Sequence, residues 1–160
     1  LGGKKSLMDY FIHPDGSKRV LLAGTYNAHP VPTVASIATI ERLLENDGAV
    51  YRHVEKLGAR VEAGINQITS EMGLTTKLVR RGSAYCLYFM DHAPVDWHDL
   101  ASHHNFALDS RMRLEMIDRG VYYFPTPTKQ CSISAAHSEQ DIDQTLEALR
   151  GALKASVCAS

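Results

Sequence analysis

The sequence has neither a long apolar run nor an excess of charge of one sign. No stretch of apolar residues approaches the roughly 18 needed to cross a bilayer, so we expect no membrane-spanning segment. Lysine and arginine together number 17 and aspartate and glutamate 18, which leaves a net charge of -1. Because neither sign dominates any long stretch, the sequence predicts neither a nucleic-acid partner nor a membrane partner.

Cysteine is scarce as well. Cys86, Cys131 and Cys158 are an odd number and show no C-x-x-C spacing, which favours free thiols and a reducing, cytoplasmic location. Residues 1–5 lack the charged-then-apolar order of a signal peptide, so none is expected. The chain does not begin with methionine, which fits a segment of something longer. A length of 160 residues suits one domain, or a small domain with part of a neighbour.

Apolar spacing and turn residues predict an α+β fold with a mostly antiparallel sheet flanked by helices. The clearest element is a helix with one apolar stripe, which Gly73 is expected to end. The stripe consists of Val50, Val54, Leu57, Val61, Ile65, Ile68 and Met72. The other predicted helices are at 4–11, from Pro30 to an interruption at Gly48, at 98–119, and after a cap formed by Ser138 and Asp141. The predicted strands are at 20–23, 76–80, 84–90, 121–124 and 132–136.

The turn at residues 24–30 lies between a predicted strand and a predicted helix, and it begins with Gly24 and Thr25. Glycine lets the backbone approach a ligand closely, and threonine offers an N–H and a hydroxyl to a phosphate. The alternative is an ordinary strand-to-helix turn, which short motifs alone favour.

A histidine group and two loop side chains are the other candidates. His92, His98, His103 and His104 lie near three aspartates, but their spacings match no standard zinc pattern, so we predict a solvated helix face and no metal. Lys129 could bind an anionic substrate group, or it could be a solvated loop lysine. A nucleophilic role for Cys131 is not favoured, because the sequence shows no activating neighbour.

Three segments in order resemble motifs of a known family. They are 24–40, which begins GTYNAHP, 116–122, which reads MIDRGVY, and 134–146, which reads SAAHSEQDIDQTL. Residues 1–5 also match the end of that family's large-domain core. The family is that of the class III aminotransferases, and the resemblance is to its glutamate-1-semialdehyde aminomutase group. It covers essentially the whole chain.

The resemblance implies a pyridoxal 5'-phosphate (PLP) enzyme of fold type I. Residues 1–32 would be the tail of the large domain, 33–47 a linking helix and 48–160 the small C-terminal domain. Gly24 and Thr25 would contact the cofactor phosphate of the other subunit of a homodimer. The lysine that forms a Schiff base with PLP would precede residue 1, in a missing N-terminal half, so the chain alone is predicted to be inactive.

Two positions depart from the family pattern. His29 stands where most members have asparagine before the proline. Lys129 stands where the aminomutases carry an acidic residue, and a cation there would suit a substrate carboxylate. This favours an ordinary aminotransferase, acting on a small amino acid or keto acid, over a mutase. Because a fold does not guarantee an activity, the alternative is a stand-alone, non-catalytic α+β domain for binding or dimerisation.

Overall fold

The structure is a computed structural model that describes residues 2–27 and 29–158. Its contacts divide the chain into two units, Leu1–Arg42 and Leu43–Ser160. The helices are α1 (Lys5–Met8), α2 (Pro30–Glu71), α3 (Trp97–His103), α4 (Phe106–Asp118) and α5 (Glu139–Cys158), with two short 3-10 turns at Asp9–Phe11 and Gly16–Lys18. The strands are β1 (Lys77–Arg81), β2 (Ala84–Tyr88) and β3 (Cys131–Ser132). Within these described residues, no helix has the length and apolar character needed to cross a membrane.

The first unit has no buried residue among those described. The strand expected at residues 20–23 is absent, and Val20, Leu21 and Leu22 are exposed. The backbone of a strand needs a neighbouring strand for its hydrogen bonds, and no described residue of this unit supplies one. The N-terminal part of α2 likewise exposes an apolar face, formed by Val31, Val34, Ile37 and Ile40.

Helix α2 is interrupted where the sequence predicts it. Glu45 to Gly48 have non-helical backbone angles, and Asn46, Asp47 and Gly48 have φ values of +49°, +56° and +71°. Asparagine, aspartate and glycine are the residue types that tolerate this left-handed region. The Arg52 guanidinium donates to the carbonyl oxygens of Asn46 and Asp47, so the interruption is hydrogen-bonded.

The second unit buries the predicted stripe of α2 against the sheet, α4 and α5. Leu57, Val61, Ile65 and Ile68 are buried, and Met72 packs against the same core. The order of the sheet is β1-β2-β3, and both pairings are antiparallel. The rest of the core comprises Leu78, Tyr85, Leu87, Phe89, Leu108, Met112, Met116, Tyr123, Ile133, Ile142, Leu149, Ala152 and Leu153. The α+β fold with a mostly antiparallel sheet is therefore present.

Two local predictions of the second unit hold, those for Gly73 and for the cap of α5, and the connection between β1 and β2 is a tight turn. Gly82, with φ +58°, begins the two-residue connection between β1 and β2. Gly73, with φ +65°, lies two residues after Glu71, the last residue of α2. Before α5, Ser138 N–H donates to Asp141 Oδ2 at 2.7 Å and Asp141 N–H donates to Ser138 Oγ at 3.3 Å, which is a reciprocal capping box.

The helix expected at 98–119 is two helices, because His104 and Asn105 interrupt it. His104 has an extended ψ of 136°, and the Asn105 side chain accepts a hydrogen bond from Leu108 N–H as the cap of α4. The strand expected at 121–124 is absent from the described sheet, and the strand expected at 132–136 is reduced to β3. Residues 131 and 132 pair with β2, and Ile133 N–H donates to the carbonyl oxygen of Ser83, just before β2, at 2.9 Å.

A close contact between α2 and the β1–β2 turn makes Gly58 a test of this packing. A Cβ at position 58 would lie 2.5 Å from the Gly82 carbonyl oxygen, and a backbone atom cannot move aside as a flexible side chain can. We expect Gly58→Ala to lower the free energy of unfolding by about 1–3 kcal/mol, although alanine favours helix by about 1 kcal/mol. Urea denaturation followed by circular dichroism measures the change.

Gly151→Ala is the matched control within α5. A Cβ there would meet only the side chain of Arg119, whose Nε would be 2.8 Å away and can move. We expect this variant to be as stable as the parent chain or more stable. Equal destabilisation by the two substitutions would contradict the packing described at Gly58.

Candidate functional site

The Gly24 turn presents two hydrogen-bond donors to solvent. Asn27 N–H donates to the Gly24 carbonyl oxygen at 3.0 Å, and the absence of a side chain at Gly24 leaves room for Asn27, whose Oδ1 would lie 2.8 Å from a Cβ. Thr25 is exposed, and no hydrogen bond joins its hydroxyl or its N–H to another described residue. These two groups suit a phosphate dianion, to which charge-assisted hydrogen bonds are strong.

His29 caps the start of α2. Its Nδ1 accepts a hydrogen bond from Val31 N–H at 3.3 Å, and its carbonyl oxygen accepts from Thr33 N–H at 3.1 Å. Asparagine is among the strongest helix-capping residues. Histidine stands here in place of asparagine, and its side chain also caps the start of the helix.

Lys129 lies in the exposed loop of residues 124–129. Its Nζ is 5.5 Å from the centroid of the Phe124 ring, within the range of a cation–π interaction. The ammonium group remains accessible to an anion because Lys129 is exposed. Lys129 belongs to the second unit and Gly24 and Thr25 to the first, so the structure describes these two candidate sites separately.

A buried arginine of α4 holds both ends of the Lys129 loop. The Arg113 side chain donates to the Phe124 carbonyl oxygen at 3.1 Å and to the Lys129 carbonyl oxygen at 3.0 Å. Its Nε donates to Asp109 Oδ1 at 2.6 Å. The side chains of Arg113 and Asp109 are 1% and 0% exposed, so this is an ion pair inside the protein.

Asp109 extends the network to the middle of the loop and to His104. Its Oδ2 accepts from Thr128 N–H at 2.7 Å and lies 3.1 Å from His104 Nε2. Phe89 N–H donates to His104 Nδ1 at 3.1 Å. Nδ1 is therefore an acceptor, and Nε2 carries the proton that is donated to Asp109. Thr128 has φ +61°, an uncommon angle for threonine, and this network holds it there.

The sequence did not predict this network. Asp109 and Arg113 are spaced i, i+4, which is also the spacing of ordinary ion pairs on helix surfaces. His104 was expected on a solvated helix face, and this is wrong, because its side chain is 0% exposed. The available signal was Asn105, a residue favoured at helix caps, since a cap there turns His104 out of helical geometry and towards the core.

His92, Asp99 and His103 form a second cluster, on the loop after β2 and on α3. One nitrogen or oxygen atom from each lies within 4.8 Å of the others. His92 Nε2 is 3.0 Å and His103 Nδ1 is 2.9 Å from Asp99 Oδ1. Hydrogen bonds from His92 to Asp91 and Asp99 raise the pKa of His92 above its usual value. The spacing of these residues in the sequence does not indicate that they lie close together.

Cys131 has no environment that would activate it. Burial raises the pKa of its thiol to about 11, so it remains protonated at neutral pH and is a poor nucleophile. Beside it, the buried Tyr85 and Tyr123 hydroxyls share a hydrogen bond of 2.8 Å, and burial raises the pKa of both phenols. This part of the second unit is a structural core.

The third family-like segment also has a structural role. Ser134 Oγ lies 2.9 Å from His137 Nδ1, and His53 Nε2 on α2 donates to the His137 carbonyl oxygen at 2.8 Å. The capping box of Ser138 and Asp141 follows directly. These residues form the turn into α5.

No family model matches the chain, but individual proteins do. It is 37% identical over 151 residues to the glutamate-1-semialdehyde 2,1-aminomutase of Thermus thermophilus, covering 94% of this chain and 34% of that protein. It is 36% identical to the enzyme of that name from Akkermansia muciniphila, covering 93% of this chain and 34% of that protein. The resemblance to the class III aminotransferases is confirmed. The chain spans about a third of the length of these relatives.

Solved structures show the same fold. An omega-transaminase from Sphaerobacter thermophilus matches with a TM-score of 0.83 at 23% identity, over 98% of this chain and 35% of that one. A glutamate-1-semialdehyde-aminomutase from Pseudomonas aeruginosa, in complex with PMP, matches with a TM-score of 0.73 at 26% identity, over 83% of this chain and 29% of that one. The predicted fold class, part of PLP fold type I, is confirmed.

The buried ion pair of α4 gives a test of how the Lys129 loop is held. In Arg113→Met the Asp109 carboxylate loses its buried partner, so we expect the free energy of unfolding to fall by about 3–5 kcal/mol. The control is Arg119→Met, which removes the i, i+4 pair of Arg119 and Glu115 at the C-terminal end of α4, where the two side chains are 33% and 35% exposed. Surface pairs contribute about 0–1 kcal/mol. Similar losses in the two variants, measured by urea denaturation, would contradict the structural role of Arg113.

Proposed function

We propose that this chain is the C-terminal part of a PLP-dependent enzyme of the aminotransferase and aminomutase group. The observation that carries the proposal is the sequence match over 94% of the chain to the Thermus thermophilus aminomutase. The solved relatives support the cofactor, because one is titled as a transaminase with PLP bound and another as a complex with PMP. The free cysteines support a reducing, cytoplasmic location.

The lysine that binds PLP covalently is proposed to lie outside this chain. All seven lysines of the sequence, which are Lys4, Lys5, Lys18, Lys56, Lys77, Lys129 and Lys154, are among the described residues and are exposed. A catalytic lysine of this kind needs a desolvated or otherwise perturbed setting that makes its amine nucleophilic. The exposed positions of all seven therefore support the expectation that the chain alone is inactive.

The apolar face of the first unit supports an assembly with further protein. Val31, Val34, Ile37 and Ile40 are apolar residues of the N-terminal part of α2 and are exposed, as are Leu21 and Leu22. Apolar patches of this kind mark sites of protein contact. We propose that the N-terminal half of the enzyme and the second subunit of a homodimer cover this face.

In the assembled enzyme, Gly24 and Thr25 are proposed to bind the cofactor phosphate across the dimer interface. The Thr25 hydroxyl and N–H would donate to phosphate oxygens, and Gly24 leaves the turn open to a close approach. When bound, PLP supplies the electron sink for amine chemistry at the substrate carbon. Lys129 would bind the substrate carboxylate as a point charge, held in place by the Arg113 network.

The positive charge of Lys129 favours an aminotransferase over a mutase within this proposal. An amino-acid donor carries a carboxylate, and an exposed ammonium on a fixed loop offers it a partner. The sequence relatives described above are nevertheless named as aminomutases. Product analysis of the assembled enzyme separates the two reactions, because a transaminase releases the keto product of the donor and a mutase does not.

Two substitutions in a complete enzyme containing these residues test the two proposed contacts. Thr25→Ala should weaken PLP affinity roughly 10- to 100-fold, since a hydrogen bond to a charged group contributes about 1.5–3 kcal/mol. Lys129→Ala should raise KM for a carboxylated substrate and leave PLP affinity unchanged. PLP affinity is measured by equilibrium titration of cofactor absorbance, and KM by steady-state kinetics.

Each variant has a matched control, which removes either a hydroxyl that is already hydrogen-bonded or a lysine outside the Lys129 loop. Thr39→Ala removes a hydroxyl that donates within its own helix, to the Ala35 carbonyl oxygen at 2.8 Å, and should leave PLP affinity unchanged. Lys77→Ala removes an exposed lysine of β1 and should leave KM unchanged. If Thr25→Ala and Thr39→Ala bind PLP equally well, Thr25 is not a phosphate ligand. If Lys129→Ala and Lys77→Ala have the same KM, Lys129 does not bind substrate.

A further inference from the structure

The cluster of His92, Asp99 and His103 has the composition and geometry of a transition-metal site. Two imidazole nitrogens and one carboxylate oxygen converge within 4.8 Å of one another. We propose that these three side chains bind one Zn²⁺ ion. The site lies wholly within the second unit and does not depend on the proposed PLP chemistry.

The separations of the donor atoms are close to those that zinc requires. Tetrahedral zinc with Zn–N and Zn–O bonds of about 2.0–2.2 Å requires donor atoms about 3.3 Å apart. The distances from Asp99 Oδ1 to His92 Nε2 and to His103 Nδ1 are 3.0 and 2.9 Å. A small outward movement of both histidines would admit the ion, and for His103 it would replace the contact of Nδ1 with the Asp99 carbonyl oxygen, which is 2.9 Å long. The His103 side chain is 54% exposed, so surrounding packing does not oppose such a movement.

Neighbouring groups already orient two of the three ligands. His92 Nδ1 lies 2.6 Å from Asp91 Oδ1, an arrangement in which the ring donates from Nδ1 and turns Nε2 towards Asp99. Val95 N–H donates to Asp99 Oδ2 at 3.0 Å and fixes the carboxylate plane. Metal-binding histidines commonly donate their other ring N–H to a carboxylate in this way.

The chemistry of the donor set favours zinc over magnesium or calcium. Imidazole nitrogen is a good ligand for zinc, copper and nickel, whereas magnesium and calcium prefer oxygen ligands alone. Asp99 and His103 lie one turn apart on α3, and His92 comes from the preceding loop. Three protein ligands leave a fourth position for water, as in zinc sites that are open to solvent.

Isothermal titration calorimetry of the chelator-treated 160-residue chain with zinc chloride at pH 7.5 tests the proposal. We expect one Zn²⁺ per chain, at least about tenfold weaker binding in His103→Ala, and about tenfold weaker binding in Asp91→Asn, which removes the outer carboxylate. His98→Ala is the matched control, because His98 is an exposed histidine of the same helix outside the cluster. It should bind zinc as the parent chain does.

Nitrogen-15 spectra of the imidazole rings give a second, site-specific measurement. Zinc should shift Nε2 of His92 and Nδ1 of His103 and leave the His98 ring unchanged. Absence of zinc binding by the parent chain would overturn the proposal. Equal affinities of His103→Ala and His98→Ala, or zinc-dependent shifts confined to other histidines, would overturn it as well. Circular dichroism of each variant shows whether it is folded, so loss of binding can be assigned to the missing ligand.

Discussion

The Lys129 loop, residues 124–129, depends on the buried ion pair between Asp109 and Arg113. Arg113 binds the carbonyl oxygens at both ends of the loop of residues 124–129, and Asp109 binds the Thr128 N–H in its middle. Removing two charges from water costs several kcal/mol each, so such a pair is retained only where further hydrogen bonds satisfy its atoms. Here the backbone of the loop supplies those bonds. The position of Lys129 thus follows from a charge pair in the core of the second unit.

The sequence predicted two kinds of element well. They are elements held by hydrogen bonds between residues near each other in the chain, and helices with a continuous apolar face. The stripe from Leu57 to Ile68 could be predicted because a helix satisfies its own backbone and needs only a surface to cover it. The capping box at Ser138 is likewise local. Strands were predicted less well. Residues 20–23 have the composition of a strand, but no described strand pairs with them, and Val20 N–H instead donates to the Tyr10 carbonyl oxygen. The break at His104 depends on Phe89, which lies 15 residues away in the sequence, and on Asp109 in the next helix.

The candidate sites divide in the same way. A short turn motif predicted Gly24 and Thr25 as a phosphate site, and in the structure no described residue hydrogen-bonds to the N–H or the hydroxyl of Thr25. The fixed position of the Lys129 loop could not be predicted, because it depends on Arg113, whose spacing from Asp109 resembles that of a surface pair. The cluster of His92, Asp99 and His103 requires the loop after β2 to return towards α3, which no sequence spacing indicates. The family resemblance itself was carried by ordered motifs, two of which, at Gly120 and at Ser134 to Asp141, have structural roles in turns and caps.

The central claim is that this chain contributes to a PLP site but does not contain the lysine that holds the cofactor. The most direct test is intact-mass spectrometry after incubation with PLP and borohydride reduction, which makes a covalent lysine–PLP linkage permanent. The account predicts no stoichiometric adduct on the 160-residue chain and one adduct on a longer protein that includes these residues, mapped to a lysine outside them. A single stoichiometric adduct on one of the seven lysines of this chain would contradict it.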